Sequence, residues 1–349
     1  MNRSPAAVPA HRARGVVLVL ALLATTAASA WLDGAATAQS PPTGRISGTI
    51  HNGTPGATLS EGLEIRLVTL DGNSVTDSQA SGAVDGHFTF AVDPSARLTH
   101  VLRAVYQDVS YFADAVTLSP DAPAAERDIT VFETTAEAPA LSIAVTTVTV
   151  IALDRAAGEL TLLREDAVRN PGDRVYVGDA AGITFRVPAF DGVTDAGGLV
   201  DDGSVRYEAG VVTAAIPLVP GETSIVTRYV VQYDRAADRY RLRATAPIPA
   251  DRIEARIPAR FVLSVDPVAT TRRDGETTLQ GERVLMLAQD GAAPGEGLLV
   301  DLVGLSGVAR ARNPLTEQPG AAIAAALALA TLAAGAIAIG GSRARDAAP

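Results

Sequence analysis

From Gly44 onward, apolar and polar residues alternate in short runs broken by Gly, Pro, Asn and Asp, which is the period of half-buried β-strands. Leu63, Ile65 and Leu67 interleave with Glu64 and Arg66, and Phe88, Phe90 and Val92 with Thr89 and Ala91. Each run therefore has one wet face. Residues 101–106 and 129–133 continue the pattern and 119–125, with Pro120 and Pro123, reads as a loop, so residues 39–140 predict one antiparallel β-sandwich. Residues 141–304 keep the period over 143–151, 160–164, 183–187, 211–218, 225–233, 261–265, 284–287 and 298–302, which predicts a second antiparallel sandwich. No run before residue 320 holds helical periodicity over twelve or more residues. The expected fold class is all-β, with two sandwiches in tandem.

Two apolar stretches flank this body. Residues 15–23 follow Arg3, His11, Arg12 and Arg14 and lead to Ala28-Ser29-Ala30 and Ala36-Thr37-Ala38, both small-x-small patterns. The expectation is an export signal over 1–38, cut after Ala30 or Ala38. Residues 320–341 hold no charge, are long enough to cross a hydrocarbon core and precede Arg343 and Arg345. Insertion rests on Ile323, Leu327, Leu329, Leu332, Ile337 and Ile339 at about −0.3 to −0.6 kcal/mol each, a modest anchor. The stretch lacks the polar face that a soluble helix of this length carries. The predicted order is a linker over 305–319, a transmembrane helix over 320–341 and a cytoplasmic tail over 342–349, with the body outside a single-pass cell-membrane protein. Asn313-Pro-Leu-Thr-Glu-Gln-Pro319 lacks the Leu-Pro-x-Thr-Gly of sortase substrates, so the anchor is read as lipid-embedded.

Gly44-Arg45-Ile46-Ser47-Gly48-Thr49-Ile50 with Asn52 and Gly56, then residues 63–67, Asp85-Gly86-His87-Phe88-Thr89-Phe90 and Val105-Tyr106, form a pattern that can be named. It resembles the carboxypeptidase-regulatory-like, or transthyretin-like, sandwich family. The resemblance implies a fold for 39–140 and little about activity, since such modules are appended to many exported proteins. A starch-binding-like sandwich has a similar rhythm, which keeps sugar binding open. The zinc site of metallocarboxypeptidases needs His-x-x-Glu, and none of His51, His87 or His100 is followed by Glu at that spacing. Beyond Leu141 the chain is similar to the distal part of uncharacterised bacterial surface proteins, at Ala189-Phe190-Asp191-Gly192 and Pro217-Leu218-Val219-Pro220-Gly221. That likeness implies no activity.

Charge and composition narrow the classes further. The formal net charge is −10 and falls when the signal's arginines leave, so phosphate backbones are repelled and nucleic acid is not an expected partner. All 29 basic residues are arginine, which excludes Schiff-base lysines and the phosphate-loop lysine. There is no cysteine, so disulfides, thiolate nucleophiles and cysteine metal sites are excluded. Ser204, Ser224 and Ser306 lack the Gly-x-Ser-x-Gly elbow, and the histidines read as ordinary surface or edge residues.

Two constellations remain. Tyr106, Asp108, Tyr111 and Phe112 mix aromatic and polar groups in the way that stacks on sugar rings or anchors a partner; the alternative is that alternate members fill the core. Asp191, Asp195, Asp201 and Asp202, interleaved with glycines, offer oxygen ligands that suit calcium, or are solvated turns. Arg252, Arg256 and Arg260, followed by Arg272 and Arg273, read as exposed loop and strand-edge charges, with contact to anionic headgroups or wall polymer as the alternative. The reading is a non-catalytic, membrane-anchored binding or scaffolding protein, with no cofactor and an envelope protein or polysaccharide as partner. Carbohydrate binding by the first sandwich comes second, and a metal-dependent hydrolase a distant third.

Overall fold

The computed structural model of the chain describes residues 44–60 and 63–306. The expected export signal, apolar span and basic tail lie outside these residues. Among the described residues every regular element is a β-strand except one short 3-10 helix, Ala259–Phe261, and no helix is long and apolar enough to cross a membrane. The class is all-β, as the alternation predicts.

The first group of strands is β1 (Gly44–Asn52), β2 (Glu64–Asp71), β3 (Ser74–Gly82), β4 (His87–Val92), β5 (Leu98–Tyr106), β6 (Val109–Phe112), β7 (Ala124–Glu126) and β8 (Ile129–Val131). One sheet runs β4-β1-β7 with β8 also on β1, and the other runs β3-β2-β5-β6. Ile46, Ile50, Ile65, Leu67, Phe88, Phe90 and Leu102 from both sheets share one buried core. They are the inward positions that a period of two selects.

The expectation of a wholly antiparallel arrangement is corrected here, because β7 and β8 run parallel to β1. After β6 the chain crosses between sheets through residues 113–123, and a connection of that length can bring it in along β1 in the same direction. The approach is closest at Gly48, where a Cβ would lie 1.9 Å from the Arg127 carbonyl oxygen. The Arg127 amide donates to the Ser47 carbonyl at 2.9 Å, and the Thr49 amide donates to Asp128 Oδ1 at 2.8 Å. The kink that separates β7 from β8 thus passes directly over a residue without a side chain.

After β9 (Thr134–Thr135) come β10 (Ser142–Asp154), β11 (Glu159–Asn170), β12 (Val175–Tyr176), β13 (Phe185–Pro188), β14 (Val193–Gly198), β15 (Val205–Glu208), β16 (Val211–Ala214) and β17 (Gly221–Gln232). The chain then forms β18 (Arg239–Thr245), β19 (Ala250–Pro258), β20 (Ser264–Val268), β21 (Arg272–Leu279), β22 (Glu282–Ala292) and β23 (Gly297–Val303). Seven strands make the largest sheet, in the order β14-β17-β11-β10-β19-β22-β21, with β10 and β19 parallel. Two three-stranded sheets, β13-β16-β15 and β18-β23-β20, share its core through Phe185, Val212, Leu242 and Val300.

One residue pair inside this core is not apolar. Arg164 and Asp166, two apart on β11, are 1% and 2% exposed and joined by hydrogen bonds of 2.8 and 2.9 Å. Thr146 Oγ1 donates to Asp166 Oδ1 at 2.6 Å, and Arg164 Nη2 donates to the Thr245 carbonyl at 3.0 Å. Burial works against the Arg164 charge, yet the field and hydrogen bonds of Asp166 hold its pKa above the ordinary arginine value. Tyr229 beside it is pushed up to about 12, chiefly by burial. Asp166→Ala leaves a buried guanidinium unpaired, and we expect a loss of about 3–5 kcal/mol in urea unfolding. A simultaneous Arg164→Met change should recover much of that loss, because it removes the stranded charge.

Candidate functional site: a polar junction between the two cores

The chain passes from the first core to the second near residue 140, but the cores interlock. Val175 of β12 is buried in the first core, and β12 pairs with β9. Thr54 Oγ1 donates to the Asp173 carbonyl at 2.8 Å and accepts from the Glu133 amide at 2.9 Å. A hydroxyl from the end of β1 therefore bridges both halves.

Glu133, between β8 and β9, is the hub of this junction. Its Oε1 accepts from the Tyr106 hydroxyl at 2.6 Å and from Asn52 Nδ2 at 2.9 Å. Its Oε2 accepts from Gln107 Nε2 at 2.6 Å. Gln107 Oε1 in turn accepts from the amide and hydroxyl of Thr134, both at 2.9 Å. The Tyr106, Asn52 and Gln107 hydrogen bonds favour the charged carboxylate and hold its pKa below the usual value, and the same contact with Glu133 pushes the Tyr106 phenol up.

The β5–β6 turn explains why the four residues predicted as a binding cluster do not form one surface. Tyr106 pairs with Val109, leaving Gln107 and Asp108 as a two-residue turn with φ of 48° and 63°. Alternation then sends Tyr106 and Tyr111 inward, at 4% and 7% exposure, while Asp108 stays in solvent at the turn and Phe112 faces outward at 65%. The Tyr111 hydroxyl donates to the Phe132 carbonyl at 3.1 Å and accepts from the Phe132 amide at 3.2 Å, taking the place of a missing ladder between β6 and β8. The core-filling alternative holds for both tyrosines. Phe112 alone presents its ring, opposite Arg103, whose guanidinium bonds Ser110 Oγ at 2.8 and 3.1 Å.

The acidic constellation also separates. Asp195 pairs with Arg228 at 2.5 Å, Asp202 accepts from the Ser204 amide at 2.9 Å, and Asp201 is exposed. The Ser204 bonds hold the Asp202 carboxyl low. Asp191 lines a different feature, a shallow cleft of about 450 Å³ with Asp234, Arg239 and Asp301. Among the described residues no group of three or more His, Asp or Glu is arranged to hold a metal.

Of the histidines, His51 and His87 are exposed, His51 lying 3.8 Å from Asp128 and His87 Nδ1 3.1 Å from Thr49 Oγ1. His100 departs from the expectation of a surface or edge residue. It is 1% exposed, its Nδ1 lies 3.0 Å from Thr69 Oγ1, and its Nε2 has no partner. Burial lowers its pKa, with Asp93 and Asp77 opposing. A second cleft, of about 420 Å³, adjoins the junction and is lined by His51, Asn52, Thr58, Ser60, Leu63 and Asp85.

Sequence reasoning missed Glu133, Gln107 and the bridging Thr54. The available signal was a charged residue at 133 continuing the strand rhythm directly after two inward positions, Ile129 and Val131. No protein-family model matches the chain, and no curated protein is detectably similar to it.

Two outcomes follow from these environments. Glu133→Gln turns an amide NH2 toward Gln107 Nε2, and we expect a loss of about 1–3 kcal/mol by urea unfolding. His100 has a folded pKa below its unfolded value, so its contribution is full above about pH 6.5 and is lost as pH falls below it. Melting temperature should therefore drop between pH 7.5 and 5 in the unaltered protein and drop less in His100→Gln.

Proposed function

We propose that this is an exported binding or scaffolding protein, held in the cell membrane by one carboxyl-terminal helix, that presents two tandem β-sandwiches to an envelope protein or polysaccharide. The first, over residues 39–140, is assigned to the carboxypeptidase-regulatory-like class. The observation that supports this best is the use to which the ionisable side chains are put. Glu133 ties three segments of the first group together, Arg164 and Asp166 neutralise each other inside the second core, and Arg252 contacts Glu254 and Asp290 at 2.7 and 2.6 Å as well as Asp274. Groups committed to holding strands in place suit a rigid platform better than proton or group transfer.

A second reading has one observation in its favour. The cleft beside the junction gathers an imidazole, an amide, two hydroxyls and a carboxylate against Leu63, a mixture that fits a hydroxyl-rich glycan end. It moves carbohydrate recognition from the β5–β6 aromatics to the space between β1 and the turn after β3.

Protease added to intact cells tests the leading reading. The expected result is loss of the body, residues 44–306, with a short carboxyl-terminal fragment kept in the membrane fraction. Recovery of the uncut chain from the cytosol would exclude it.

A further inference from the structure

The sheet β18-β23-β20 turns Leu242 and Val300 into the core and its other face to solvent. On that outer face the strand registers place Arg239 beside Val303, Arg241 beside Asp301 and Arg243 beside Leu299. The three arginines are exposed and occupy every second position of β18, so they form one row with about 7 Å between neighbours. Arg241 is committed within the chain, since its Nε and Nη2 bond both oxygens of Asp301 at 2.7 and 2.8 Å. Asp266, beside Asp301 on β20, has Arg273 at 4.0 Å. Arg239 and Arg243 form no ion pair among the described residues. Both carboxylates of the face are thus answered, and two guanidiniums are left over on a chain whose formal net charge is −10.

An apolar side chain stands free at one end of the same sheet. Leu263, which precedes β20, is 78% exposed, the highest value of any large apolar residue described. Its amide donates to the Val303 carbonyl at 2.8 Å, which sets it across β23 from Arg239. An exposed leucine near unpaired arginines suits a lipid surface, where the apolar side chain enters the acyl boundary and a guanidinium bonds phosphate.

The route of the chain says which surface this is. Beyond Val303 the Gly304 amide donates to the Asp238 carbonyl at 3.0 Å and the Ser306 amide bonds Asp238 Oδ1, so the described chain ends beside the β17–β18 turn, next to Arg239. Residues 307–319 separate this point from the proposed span over 320–341, and thirteen residues reach at most about 45 Å even when fully extended. The seven residues of β18 cover about 24 Å, so the whole face lies within that reach. A surface tethered in this way meets headgroups as an intramolecular partner, and a weak contact suffices.

We propose that the outer face of β18-β23-β20, with Leu263 at its end, rests on anionic phospholipid headgroups of the membrane that anchors the chain, Arg239 and Arg243 taking the phosphates. The inference rests on the membrane-anchored reading and adds to it the lipid chemistry recognised and the face that recognises it.

The absence of cysteine gives the test a single reporter. Full-length Leu263→Cys carrying an environment-sensitive dye is reconstituted in vesicles of phosphatidylcholine, alone or with about one-third phosphatidylglycerol. The dye should shift to the blue and be quenched by a lipid-borne spin label in the anionic vesicles only, whereas the same dye at Phe112→Cys, 65% exposed on β6, should not respond. If Leu263→Cys fails to fold, Ser264→Cys carries the label instead. Arg239→Gln with Arg243→Gln should remove most of the phosphatidylglycerol dependence, each arginine contributing about fivefold to the equilibrium between docked and undocked body. A chain that stays in carbonate-washed vesicles with no response from the dye overturns this proposal alone, and release by carbonate overturns the anchor together with it. An equal response in both vesicles also overturns it, and a response to soluble heparin without lipid does so in favour of an anionic polymer.

Discussion

The Arg164–Asp166 pair sets the register on which the large sheet depends. Both side chains point inward from β11, and they bond further to Thr146 on β10 and to the carbonyl of Thr245 on β18. A slip of one residue would turn both charges outward and carry Leu163 and Ala167 in. A slip of two would keep the face but part Asp166 from Thr146. Apolar packing tolerates such shifts far better than a buried charge does, because Leu and Val exchange neighbours at modest cost whereas an unpaired guanidinium does not. The pair therefore contributes more to uniqueness than to net stability.

Much of the first group was legible because its strands keep one apolar and one polar face. Residues 64–67, 88–92 and 101–106 are strands in the structure. β3 was not legible: Ser74–Gly82 is polar on both sides and exists as an edge laid against β2. In the second group β19 was missed for a different reason. Arg252, Arg256 and Arg260 recur every four residues, and the eye takes such spacing for loop charges or a helix face. On a strand, four residues are two full periods, and the intervening Ile253, Ala255 and Ile257 fill the core. The strand expected over 261–265 begins later, since Ala259–Phe261 takes a 3-10 turn and β20 starts at Ser264.

The candidate site was less legible than the fold because its members come together only through tertiary crossings. Asn52, Gln107 and Glu133 are far apart in sequence and meet because β7 and β8 return along β1. That return brings the Arg127 carbonyl directly over Gly48, where a side chain would clash. The aromatic cluster was overestimated for a local reason. Four chemistry-bearing residues within seven positions look like one surface, yet a two-residue turn and alternation distribute them over a core, a turn and an outer face.

The exclusive use of arginine acquires a physical role at the edge of the large sheet. β21 is exposed along nearly its whole length and has no residue in the core, so its ladder to β22 is its main hold. Arg252 on β19 reaches Asp274 on β21 and Asp290 on β22, and Arg272 on β21 bonds both Asp274 and Asp290. One guanidinium with five donors can span three strands, which a lysine ammonium on its single point of charge does not match. Arg272 raises the local density of fixed charge further, and both aspartates are held below their ordinary pKa, first by its hydrogen bonds. The edge is thereby stapled by charge where it has no apolar side chains to bury, and the same charges make it a poor template for another strand.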